Sequence, residues 1–230
     1  MTENTYEQGR VLLINKPLNW TSFDVVRKIR NLVRIKKVGH AGTLDPLATG
    51  LLILCTGKFT KRINEFMAAE KEYTGTFTVG ATTDSFDLET EPGNFRSFEG
   101  LTPDSIKQAV ESFTGWIMQR PPIYSAIKMK GKRAYESARK GEELQLEPRR
   151  VLISQFDITV IDLPMVHFRV VCSTGTYIRS LAMDFGAALG CGAYLSTLCR
   201  NRIGEYSLIQ SLTIEEAEQE IIQELSRQKG

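Results

Sequence analysis

Apolar residues fall at helical spacing over Phe23, Val25, Val26, Ile29, Leu32 and Val33, just after a short run, "GRVLLINKP", that halts at Pro17. This predicts a strand followed by a helix capped by Ser22. Farther on, "GLLILCTG" is a continuous apolar run between glycines, the signature of a strand buried on both faces. From Lys71 the pattern alternates: Tyr73, Gly75, Phe77 and Val79 point one way and Thr74, Thr76 and Thr78 the other, so a half-buried strand is expected. The acidic stretch "TTDSFDLETEPGNFRSFEG" breaks the alternation with Pro92, Gly93 and Gly100 and reads as a surface excursion prone to local disorder.

After it, Thr102 caps a helix with Pro103 at its first position, running through Ile106, Ala109, Val110 and Phe113 to Gly115. "WIMQRPPIYSAIKMKGKR" reads as paired extended segments around a Pro-Pro bend, with a short helix over "AYESARKG". Two strands joined by "DLP" follow, the second alternating Val166, Phe168, Val170 and Cys172 with His167 and Arg169, which predicts an antiparallel pair. Ile178, Leu181, Ala182, Phe185 and Leu189 form the stripe of another helix, stopped by Gly190 and Gly192. Thr213 and Glu216 make a capping box for a last helix over Ala217, Ile221, Ile222 and Leu225. Strands outnumber the places where a βαβ crossover fits, so the expected class is α+β: a mixed, mainly antiparallel sheet flanked by helices, in one domain over residues 1–230.

Twenty-nine basic against 27 acidic side chains leave a formal charge of +2, which neither demands nor excludes a nucleic-acid partner. Cys55, Cys172, Cys191 and Cys199 show no C-x-x-C spacing and read as reduced, mostly buried thiols, against a zinc site and in keeping with a cytoplasmic protein. The opening "MTENTYEQGR" lacks a leader's basic flank and apolar run, and no apolar stretch is long enough to cross a bilayer.

Candidate chemistry gathers in "GHAGTLDPLATGLL", where Asp45 sits between Leu44 and Pro46 with glycines on either side. Alone, an aspartate beside glycine and proline is most often a turn residue. Its company, His40 and a following buried strand, also suits a rigidly held nucleophile or general base. No Walker or Rossmann glycine pattern is present, and His40 and His167 stand far apart without carboxylates, so nucleotide cofactors and metals drop out. Arg179 in "YIRSL" reads either as a solvated helix-face residue or, facing Asp45, as a bidentate partner that keeps the acid ionised. Tyr73 reads as core or as a ring that stacks on a base. Basic clusters at Lys36 and Lys37, at Lys128 to Arg133, at Arg149 and Arg150, and at Arg200 and Arg202 are ordinarily solvated faces. With Tyr124, Tyr135 and Tyr177 interleaved, they would suit a structured RNA.

"GHAGTLDPLATGLL", "KEYTG", "PPIYSAIK" and "GTYIRSLAMDFGAALGCGAYLSTLCR", in this order and spacing, resemble the TruB-type tRNA pseudouridine-55 synthase family, from the "NKP" near residue 15 to the final helix. The resemblance implies the pseudouridine synthase fold and an isomerase that converts a uridine in the T-loop of tRNA to pseudouridine, without cofactor or metal. It makes Asp45 the nucleophile, Arg179 its partner and Tyr73 a ring that stacks on the target base and aids late proton removal. His40 helps displace the nucleotide, and Tyr177 and the segment from Tyr124 to Lys128 line the pocket, with Lys16 a further substrate contact. The implied partner is the tRNA T-arm stem-loop, met by a cytoplasmic monomer. Three departures stand out: Asn19 occupies a position where the family carries glycine, "TGKFTK" replaces a Gly-x-Ala-Thr-Lys pattern, and a C-terminal PUA-type RNA-binding domain is expected to be absent. The rival class is a non-catalytic RNA-binding or tRNA-chaperone module, which needs no Asp45 chemistry, and a small-molecule isomerase is a fainter third.

Overall fold

The computed structural model describes residues 4–124, 128, 129, 132, 133 and 146–227. In chain order the elements are α1 (Thr5–Gln8), β1 (Val11–Lys16), α2 (Ser22–Val33), β2 (Val38–His40), β3 (Ala48–Thr56), α3 (Ile63–Ala68) and β4 (Lys71–Val79). There follow α4 (Pro103–Glu111), β5 (Gly115–Gln119), β6 (Lys128–Met129), β7 (Lys132–Arg133), β8 (Arg149–Asp162) and β9 (Met165–Cys172). The chain then makes α5 (Ile178–Ala188), β10 (Ala193–Ile203), β11 (Tyr206–Ser207) and α6 (Ile214–Arg227). Apart from β6 and β7, which among the described residues pair only with each other, the strands form a mixed, mainly antiparallel sheet accompanied by helices, an α+β architecture. The helix expected over "AYESARKG" lies outside the described residues. Two compact units emerge, Met1–Tyr73 with Leu198–Gly230, and Thr74–Thr197.

In the first unit β3 is the organising strand. β1 runs antiparallel to it from Val11 opposite Cys55 to Lys16 opposite Gly50, β2 pairs antiparallel at Thr56 to Leu54, and β10 pairs parallel at Ala48 to Gly50. Alternate β3 side chains therefore enter two cores. Leu52 and Leu54 join Val25, Val26, Ile29 and Val33 of α2 and Ile214, Ala217 and Ile221 of α6, while Leu51, Ile53 and Cys55 pack with Ala41, Phe66 and Ile203. This is why the run carries no polar alternation. The α2 cap is Thr21 rather than Ser22: Thr21 and Asp24 form the capping box, and Ser22 is buried. The buried stripe of α2 runs through Ser22, Val25, Val26, Ile29 and Val33, so Phe23, about 100° round from Ser22, is 58% exposed instead of in the core.

The second unit orders its strands β10, β4, β9, β8, β5. β8 and β9 form the expected antiparallel pair, with irregularities between Ile153 and Gln155 and between Ile158 and Val160. Phe77 stacks on Phe168 with centroids 4.1 Å apart, and Phe156 and Phe185 meet them edgewise or tilted. Gly75 is part of that stack's geometry, since a Cβ there would lie 2.8 Å from the Phe168 ring. The acidic excursion is only partly superficial. Thr83, Ser85 and Asp87 are buried; the Ser85 hydroxyl donates to the Asp87 carbonyl at 3.0 Å, and Asp87 accepts from Glu89 N–H at 2.9 Å. A polar segment can be interior when its polar atoms bond one another.

Gly186 sits within α5, where alanine would ordinarily favour a helix. Here a Cβ would stand 2.0 Å from the Ala193 backbone nitrogen. Gly186→Ala is therefore expected to lower stability by roughly 1–3 kcal/mol, the cost of overpacking, instead of raising it. Urea unfolding of both proteins checks the sign.

Candidate active site

Asp45 lies on the loop between β2 and β3, and five consecutive backbone carbonyls of that loop are occupied. Arg200 donates through Nη2 to Gly42 at 3.1 Å and through Nη1 to Thr43 at 3.4 Å, and the Ser22 hydroxyl donates to Leu44 at 3.1 Å. The Asp45 carbonyl accepts from Ala48 N–H at 3.0 Å, and the Pro46 carbonyl from Asn19 N–H at 2.9 Å and from Lys16 Nζ at 3.4 Å. Ser22 also accepts from Leu44 N–H at 2.8 Å, so one hydroxyl holds the peptide groups on both sides of the Leu44 Cα. The carboxylate thus projects from a backbone held at every step around it. Gly42 and Gly50 have φ of 100° and 101°, a conformation that side chains other than glycine resist.

Asn19 adopts φ 65°, the left-handed conformation, at the position where the resembling family has glycine. Asparagine tolerates that region better than most residues, and its N–H donates to the Pro46 carbonyl. Lys16 is 0% exposed, its ammonium donating to Pro17 at 2.9 Å and Trp20 at 2.6 Å as well as to Pro46. Burial brings its pKa down to about 8; the negative charge of Asp45 pulls it up and Arg200 pushes it down. His40 is likewise held below the usual imidazole range by burial, the Gly42 backbone opposing this and Arg200 reinforcing it. A neutral imidazole at physiological pH follows. Tyr73 lies partly exposed on β4 in the same unit.

In the second unit Arg179 is 4% exposed and is no solvated helix-face residue. Its Nη2 donates to the Tyr124 carbonyl at 2.8 Å, Nη1 to the Ser85 carbonyl at 3.3 Å, and Nε stands 3.5 Å from the Asp87 carboxylate. The α5 start has no side-chain cap of its own; buried Gln119 instead accepts from Tyr177 N–H at 2.7 Å and donates to the Tyr177 carbonyl at 3.0 Å. The Tyr177 ring lies under the Arg149 guanidinium, 5.0 Å from its centroid. Tyr124 and Arg179 are thereby joined directly, Tyr177 precedes Arg179 by two residues, and Lys128 lies in β6 opposite Arg133.

Sequence reading missed Ser22, Arg200, Asp87 and Gln119. Arg200 looked like half of a basic surface pair but is 1% exposed, while its neighbour Arg202 is paired with Glu70 at 2.9 Å and Glu72 at 3.4 Å. Both residues lie within β10, a strand that the apolar pattern did not predict, so the sequence offered no signal to tell them apart. The four thiols are free and Cys55 is pushed up to about 11 by burial. Among the described residues, no cluster of histidine, cysteine and carboxylate could hold a metal ion, and no helix is long and apolar enough to cross a membrane.

The α+β fold is shared with chains of solved complexes. The chain is similar to a chain of a Cbf5-Nop10-Gar1 complex, with TM-score 0.71 and 30% identity, covering 91% of this chain and 53% of that one. It is similar also to a chain in an H/ACA RNP bound to a substrate RNA containing 2'-deoxyuridine, with TM-score 0.68 and 28% identity, covering 92% and 53%. The chain spans about half the length of those structures' chains. Residues 30–178 match the TruB family pseudouridylate synthase, N terminal domain. The tRNA pseudouridine synthase B of Flavobacterium johnsoniae is 52% identical over 221 residues, 93% of this chain and 96% of the relative. That of Chloroherpeton thalassium is 48% identical over 219 residues, 93% and 91%. The chain belongs to the TruB family of pseudouridylate synthases, which makes it an isomerase.

The Lys16 ammonium has a pH signature. Below pH 8 it is charged folded and unfolded, and its burial weighs fully against folding. Between about 8 and the ordinary 10.5 the folded protein gives up the proton while the unfolded chain keeps it, so the penalty is relieved as pH rises. The stability of wild type relative to Lys16→Met is expected to climb between pH 8 and 10 in urea unfolding. A flat difference across that window would contradict a buried ammonium.

Proposed function

We propose that the chain converts a uridine in the T-loop of tRNA, at position 55, to pseudouridine, with Asp45 as the nucleophile and no cofactor. The observation that carries this reading is the backing of Asp45 by occupied carbonyls from Gly42 to Pro46. A reacting carboxylate gains most from a backbone that does not move, because rate falls steeply with misplacement. A turn residue alone would not call for two buried cations behind it.

In this reaction the target nucleotide leaves its stack, the bond from N1 of uracil to C1′ of ribose breaks, and the base turns. C5 then joins C1′; the proton lost from C5 is balanced by one gained at N1, so the product is an isomer. Asp45 promotes the first cleavage, whether it adds to ribose, adds to the base or removes a sugar proton. His40, kept neutral by burial, meets the displaced nucleotide without adding charge. Tyr73 stacks on the base and assists removal of the C5 proton. Tyr124, Tyr177 and Lys128 line the base pocket. Arg179 serves as the cation of Asp45, held in orientation by Asp87, Ser85 and Tyr124. Lys16 serves through Pro46, since its ammonium is turned to carbonyls. The protein works as a cytoplasmic monomer on the T-arm stem-loop.

Asp45→Asn should lower pseudouridine formation in T-arm RNA by roughly 10⁴-fold or more, as loss of a nucleophile does elsewhere. Undiminished product, mapped by chemical labelling of pseudouridine, would sink the assignment. Arg179→Ala should cut turnover about 100-fold with RNA affinity nearly unchanged, as misorientation predicts. Equal losses in affinity and turnover would assign Arg179 to binding instead.

A further inference from the structure

Arg200 is one of the two buried cations behind the Asp45 loop. It lies on β10 opposite Gly50, where β10 and β3 pair in parallel, and Gly50 has no Cβ because one would stand 2.4 Å from the Arg200 carbonyl and 2.7 Å from its nitrogen. That close approach brings the guanidinium back beneath the loop. Nε donates to the Leu51 carbonyl at 2.8 Å, on the strand, while Nη2 and Nη1 donate to Gly42 and Thr43, on the loop. One rigid planar group therefore ties the loop to the strand that follows it. At the loop's other side, Ser22 holds both the N–H and the carbonyl of Leu44, the residue before the acid.

We infer that Arg200 is a positioning residue for Asp45, acting with Ser22 through the loop backbone to set the rate of the chemical step without touching RNA. The inference rests on the proposed role of Asp45. A lysine at 200 keeps the charge but is a point donor that lacks the planar fork. It cannot hold strand and loop in one plane, so the acid is displaced while the fold and the RNA-binding surface persist.

The test is single-turnover pseudouridine formation with excess enzyme and T-arm RNA, read as rate constant and amplitude, beside RNA affinity. Ile221→Ala, in the remote core under α6, is the control for lost stability. Arg200→Lys should slow the rate constant 10- to 100-fold with amplitude and affinity close to wild type. Ile221→Ala should lower the melting temperature and, at most, the amplitude, with the rate constant unchanged. An Arg200→Lys enzyme that loses amplitude but keeps the wild-type rate constant would show Arg200 to be merely structural and overturn the inference. Should Arg200→Lys fail to fold, Ser22→Ala gives the same reading from the loop's other side: a slower rate constant supports the inference and an unchanged one overturns it. Asp45→Asn in the same assay separates the two levels. Product from that variant removes the role of Asp45 itself, whereas an inert Asp45→Asn with a full-rate Arg200→Lys removes only the positioning role.

Discussion

The loop that carries Asp45 leaves a strand ladder, and its carbonyls must find donors from somewhere other than a neighbouring strand. Side chains of β1, α2 and β10 supply most of them, which makes Lys16, Ser22 and Arg200 the frame of the site. The requirement runs both ways. A buried ammonium or guanidinium is expensive unless every donor is used, and the loop carbonyls are what use them. Loop and cations are thus mutually dependent, and the depressed pKa of Lys16 registers the residual cost of its burial.

The second unit fixes the start of α5 by contacts from outside the helix. Its N-cap residue, Tyr177, makes no side-chain cap bond. Gln119 meets Tyr177 from β5, and the Ser180 hydroxyl donates to the Arg120 carbonyl at 2.7 Å. Arg179 then binds Tyr124 and Ser85 by their carbonyls and Asp87 by its charge. The segment after β5 and the polar segment after β4 are both ordered around this one arginine. Asp184, farther along α5, is pushed up to about 6 by burial, with Arg120 pulling it back. In both units a buried arginine converts loop carbonyls into fixed geometry.

Much of this was legible beforehand where periodicity does the specifying. The α2 and α6 stripes, apart from the exposed Phe23 and Ile222, the alternation of β9 and the double burial of β3 follow from which positions are apolar, while in β4 Thr76, expected to face outward, is buried. Misreadings occurred where a polar residue's fate depends on distant partners. Ser22 and Thr21 are both fit to cap, and only the approach of Leu44 takes Ser22 inward. Ser85 and Asp87 look superficial in an acidic stretch until their mutual bonds and Arg179 are seen. Arg200 and Arg202 look alike in sequence, yet one is buried under a loop and the other pairs with two glutamates near the surface.

The sequence by itself therefore determined many of the elements, though not β2, α3 or β10, together with the fold class and the family, and it singled out Asp45 through the motif around it. Those properties rest on local spacing and residue type, which survive being read one residue at a time. Only the tertiary structure decided which side chains hold the acid's loop. Hydrogen-bond partners such as Arg200 and Gly42, 158 positions apart, are chosen by register between strands, and register is a property of the folded sheet.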